Sequence, residues 1–78
     1  MGMAAEDIAR MIKESFPDAE VRIEDLTGDG NHYAATVISE AFRGKSRVQQ
    51  HQMVYGALGG RMGGVLHALK LTTMAQRP

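Results

Sequence analysis

The chain has 78 residues, with nine Lys and Arg balancing nine Asp and Glu, three His and no Cys. A chain this short holds one core, read here as a single domain over residues 1–78, and buries only about 60% of its unfolded surface, so a deep cleft walled by its own residues is difficult to build and a partner is expected. The lack of cysteine excludes a disulfide-stapled miniprotein, a thiolate zinc site and a thiol nucleophile, and leaves imidazole and carboxylate as the only metal ligands.

The opening segment MGMAAEDIARM has acids where a targeting peptide has basic residues, and the apolar runs are short, so a cytoplasmic protein without membrane association is expected. Ala5, Ile8, Ala9, Ile12 and Phe16 recur at the spacing of one helix face, which predicts a helix over 4–16. Glu6 and Asp7 suit its first turn, and Pro17 and Asp18 end it. Ala19, Val21 and Ile23 then alternate with Glu20, Arg22 and Glu24, the period of a half-buried strand. Residues 27–31 (TGDGN) form a turn cluster, after which Tyr33, Ala35 and Val37 supply one face of a second, antiparallel strand.

Ser46 is a candidate N-cap for a helix over 46–58 that carries Val48, His51, Val54, Tyr55 and Leu58 on one broad face. The stretch 59–64 (GGRMGG) is too rich in glycine for a long helix and predicts a turn, with at most one short helical turn. Leu66 to Thr73 alternates again and makes a third strand with Leu69 and Leu71 on one face. A helical crossover makes the third strand parallel to the second, so the α-β-β-α-β order predicts a two-layer α+β fold with a three-stranded mixed sheet and helices on one side. The expected core is Ile8, Ile12, Phe16, Val21, Ile23, Val37, Val54, Leu58, Leu69 and Leu71.

Charge is unevenly spread. All nine acids lie within residues 1–40, giving that half −6, while residues 41–78 carry six cations and no acid. Most of these charges are read as a solvated face. Arg43, Lys45 and Arg47 cluster ahead of the second helix and are the candidate contacts for nucleic acid or a partner, although only Phe42 is near enough to stack a base.

The histidines differ in context. His32 flanks the turn and reads as an ordinary polar residue at a loop-strand junction. His51 is in phase with Val48 and Tyr55 and reads as a packed, hydrogen-bonded structural histidine. His67 opens the third strand, where a strand-end histidine and a metal ligand fit the residues equally well. Ser15, Ser39 and Ser46 lack a nucleophile context, and neither glycine cluster has the spacing of a P-loop or dinucleotide fingerprint. No catalytic residue is assigned, and an enzyme is not expected.

Phe42-x-Gly44-x-Ser46, His51-x-x-Val54-Tyr55-x-x-Leu58 and His67-Ala68-Leu69-x-Leu71-x-Thr73 together resemble the BolA-like family, across roughly residues 4–74. The resemblance implies a fold similar to class II KH and partnership with monothiol glutaredoxins in iron-sulfur cluster and iron handling. It implies that His67, at the start of the last strand, is a cluster ligand, and that His32, in the loop between the first two strands, is the second. The implied cofactor is a [2Fe-2S] cluster shared with a glutaredoxin and glutathione, with none expected on the isolated monomer; homodimerisation stays open. Gln50 stands where the family often has Arg, and 59–64 is richer in glycine than the family's short helix. The alternative is a transcriptional regulator with a KH-like fold and weak DNA or RNA binding. Against it, Gly60-Arg61-Met62-Gly63 leads into a strand, whereas a KH clamp lies between two helices.

Overall fold

A computed structural model describes residues 5–26, 28, 32–59 and 68–77. Helix α1 spans Ala5–Ser15, strand β1 Glu20–Asp25, strand β2 His32–Ile38, a 3₁₀ turn Glu40–Phe42, helix α2 Arg47–Leu58 and strand β3 Ala68–Met74. The sheet order is β1-β2-β3, with β1 antiparallel and β3 parallel to β2. This is the expected mixed sheet, and element ends differ from the sequence reading by one or two residues.

Alternation along β2 sets the layers. Tyr33, Ala35 and Val37 are buried under the helices, while His32, Ala34, Thr36 and Ile38 are half-buried on the opposite face. Beneath β2 lies one cluster of Ile8, Ile12, Phe16, Ala19, Tyr33, Val37, Phe42, Val54 and Leu58. Ile8, Ile12, Val37, Phe42, Val54 and Leu58 have no exposed surface, and burying such a side chain contributes about 1.5–3 kcal/mol. The rings of Phe16 and Phe42 meet at 5.3 Å between centroids, tilted by 55°.

Five residues on the expected buried faces are less buried than predicted. Val21, Ile23 and Leu71 pack against the cluster but are only half-buried. They lie on β1 and β3, the two outer strands of a three-stranded sheet, where helix cover is incomplete. The side chain of Leu69 lies outside the described residues. Val48 and Tyr55 are exposed, at 66% and 37%. At about 100° per residue they sit about 120° and 100° around α2 from Val54, whereas Leu58, Gln50 and Ala57 lie within about 60° of it. The buried stripe of α2 is therefore narrower than the apolar residues suggested.

Ser46 caps α2 as expected. Its Oγ accepts from Gln49 N at 3.2 Å, and Gln49 Oε1 accepts from Ser46 N at 3.0 Å, a reciprocal capping box. Gly59 closes the helix at a positive φ of 64°, a conformation that costs glycine little. The turn or short helical turn expected over 59–64 lies, beyond Gly59, outside the described residues.

Candidate functional site

His32 is the first residue of β2. The hairpin that delivers it is closed by Leu26 N donating to His32 O at 2.8 Å, and by Asp25 Oδ1 accepting from Gly28 N at 2.8 Å. Gly28 has a φ of 76°, which a side chain would disfavour. The imidazole is half-buried, with Nδ1 withdrawn from solvent. It stands on the open face of the sheet, opposite the core face of Tyr33.

Parallel pairing sets His32 in register with Ala68 at the start of β3. Registered residues of neighbouring strands stand about 4.8 Å apart. His67, the other candidate ligand, lies outside the described residues. Among the described residues, no three His, Asp or Glu side chains are grouped so as to hold a metal ion.

His51 stands apart, on α2. It is half-buried and meets Tyr55 edge-on at 6.3 Å. No hydrogen bond ties it to another described residue, so the hydrogen-bonded structural role expected for it is not found. Instead it lines a hollow of about 310 Å³ between α2 and β3, with Arg47, Leu71, Thr72 and Thr73.

The basic trio divides. Arg43 donates from Nε and Nη2 to the two carboxylate oxygens of Glu40, at 2.9 and 2.8 Å, and from Nη2 to Gln76 at 3.3 Å. These bonds hold the Glu40 carboxyl below its ordinary range and raise Arg43 further. A phosphate approaching Arg43 competes with a bidentate carboxylate, whereas Lys45 and Arg47 are exposed and in no ion pair among the described residues.

Two structural networks escaped the sequence reading. Buried Ser39 caps the 3₁₀ turn by accepting from Ala41 N, and its hydroxyl donates to Asp18 Oδ1 at 2.8 Å. The second oxygen of Asp18 accepts from Glu40 N at 3.0 Å; this bond and the Ser39 hydroxyl lower the Asp18 pKa. Gln50 Nε2 donates to Phe42 O at 3.1 Å and Lys45 O at 3.0 Å, while Oε1 accepts from Thr73 Oγ1 at 2.6 Å. The available signal was a polar residue in phase with Val54 and Leu58; a polar side chain on a buried stripe needs partners.

The comparisons agree with one another. A family model described as BolA-like protein matches residues 6–77. The Rickettsia prowazekii protein RP812 is 35% identical over 75 residues, covering 96% of this chain and 97% of that one. Its NMR structure superposes with a TM-score of 0.77 at 34% identity, over 99% of this chain and 100% of that one. BolA-like protein 3 of Bos taurus is 38% identical over 68 residues, which is 85% of this chain but 61% of that longer protein. The BolA domain of SufE1 from Arabidopsis thaliana superposes with a TM-score of 0.79 at 28% identity, covering 96% of this chain and 95% of that domain.

Proposed function

This chain belongs to the BolA-like protein family, and from that premise we propose that it is an adaptor, without catalysis of its own, that receives an iron-sulfur cluster as cargo together with a monothiol glutaredoxin. The observation that carries this reading is the strand register. His32, at the start of β2, is in register with Ala68 at the start of β3, and His67 precedes Ala68 in the sequence. The donor chemistry fits sharing. A two-iron cluster takes four ligands, commonly thiolates, with two imidazoles able to serve one iron, and this chain has no thiolate. The partner's cysteine and glutathione supply the remaining two.

Each residue has a separate task in this scheme. His32 is anchored by strand pairing and by the Leu26 hydrogen bond, so little ordering is needed to present its ring. Imidazole releases metal on protonation more readily than thiolate, which suits cluster transfer or sensing in the cytoplasm.

The test is anaerobic co-purification with a monothiol glutaredoxin and glutathione, followed by absorbance spectra of wild type, His67→Ala and His32→Ala. The mixed complex is expected to hold a cluster with a spectrum distinct from that of glutaredoxin alone. His67→Ala is expected to abolish stable binding, and His32→Ala to leave a weaker, more labile cluster with altered absorbance. An unchanged spectrum from both folded variants would remove the ligand assignment. The regulator alternative gains nothing from Arg43, whose guanidinium is held by Glu40. Lys45 and Arg47 would give a salt slope no steeper than about −2.

A further inference from the structure

We propose that the outer edge of β3, with the hollow beside it, docks an extended acidic segment of a partner protein, which joins the sheet as a fourth strand. This goes beyond the adaptor reading and does not depend on cluster binding.

The first observation is the edge. Among the described residues nothing pairs with the outer side of β3, so its alternate N–H and C=O groups point away from β2. The two outer strands are guarded differently. β1 carries Glu20, Arg22, Glu24 and Asp25 in six residues, whereas β3 carries only Lys70 in seven. Charges along an edge deter further pairing, and a nearly uncharged edge invites it.

The second observation is the hollow of about 310 Å³ lined by Arg47, His51, Leu71, Thr72 and Thr73. It opens where an added strand would point alternate side chains toward α2. The third is charge. Arg47 and Lys45 form no ion pair among the described residues, and residues 41–78 contain no acid. An incoming carboxylate at the hollow therefore meets Arg47, a cation with no ion-pair partner among the described residues.

The same charges argue against a second copy. Pairing β3 with its own symmetry mate brings two cationic hollows to one seam. The acidic β1 of another copy is complementary, but that pairing is head-to-tail and leads to rings or filaments rather than a two-fold dimer. A foreign acidic strand satisfies both the edge and the charge.

Amide chemical-shift mapping on the isotope-labelled full chain tests this. The probes are a blocked heptapeptide alternating valine and glutamate, the same peptide with lysine for glutamate, and the acidic peptide N-methylated at alternate amides. The acidic peptide is expected to shift the amides of Leu71, Thr72, Thr73, Arg47 and His51, with interstrand contacts along β3. Arg47→Ala, at an exposed position, should keep a wild-type circular dichroism spectrum and bind about two- to fivefold more weakly. Raising salt should weaken binding as well. Equal binding of the lysine peptide, or undiminished binding after N-methylation of the pairing amides, would overturn the proposal. So would absence of binding, shifts confined to the Arg22–Thr36 face, or concentration-dependent dimerisation through β3.

Discussion

Replacing Gln50 with Ala tests whether one amide holds the 3₁₀ turn, α2 and β3 together. The side chain is half-buried and makes three hydrogen bonds, to Phe42 O, Lys45 O and the Thr73 hydroxyl. Each such bond contributes a net of about 0.5–1.5 kcal/mol. Water can replace part of the bonding at the exposed Lys45 end, and alanine gains a few tenths of a kcal/mol in helix propensity. The expected loss is therefore about 2–3 kcal/mol, or a fall in Tm of about 10–20 °C for a domain of this size. Urea unfolding followed by circular dichroism should show a lower midpoint with an unchanged slope. Thr73→Val removes only the shortest of the three bonds and should cost about 1 kcal/mol. Because either single change abolishes that bond, the double variant should be less destabilised than the sum by about 1 kcal/mol. A loss below about 0.5 kcal/mol for Gln50→Ala, or strict additivity in the cycle, would refute the reasoning.

Ile12→Ala, at a position with no exposed surface, should cost about 2–5 kcal/mol and leave the domain near its stability limit, as chemical denaturation will read. Asp18 has a folded-state pKa lowered by Glu40 N–H and the Ser39 hydroxyl; its stabilisation is complete above the ordinary aspartate value and lost as pH falls through the lowered one. Asp18→Asn should thus be less stable at neutral pH and lose less stability on acidification below about pH 4. Parallel acid profiles for wild type and variant would count against that linkage. His51→Ala should cost no more than about 1 kcal/mol in thermal melting, since its ring makes one edge-on contact with Tyr55.

What the sequence conveyed was whatever repeats locally. The helix spacing of Ile8, Ile12 and Phe16, the alternation of Tyr33, Ala35 and Val37, and the Ser46 cap are all interactions over a few residues, and each stands as expected. The handed crossover rule then orders the strands. Contacts across long separations left no such trace. Phe42 becomes a core anchor because Ser39 is tied to Asp18, 21 residues earlier, and Gln50 reaches Thr73, 23 residues later. Apolar spacing put Val48 and Tyr55 on one broad face with Val54 and Leu58, but angular position on α2 decides burial, and only the narrower stripe around Val54 is buried. His32 became a candidate ligand only through the resemblance; its residue type and turn context alone did not separate a ligand from a polar turn neighbour.

The register ties the two proposals to one strand. Ala68, beside His32, and Leu71 to Thr73, beside Arg47 and His51, lie on β3 three to five residues apart. At about 3.3 Å per residue this is a separation of about 10–17 Å along the sheet. An added strand of five or six residues spans it. Under the two proposals, a partner that seats an acidic strand along β3 has its chain within that distance of His32. Binding through the edge would raise the local concentration of the partner's thiolates without any change in the ligands themselves. The two proposals together assign complex formation to the edge and cluster retention to the histidines. Arg47→Ala should then slow assembly of the mixed complex while leaving its final absorbance spectrum unchanged, and a spectrum altered by Arg47→Ala would break the division of roles.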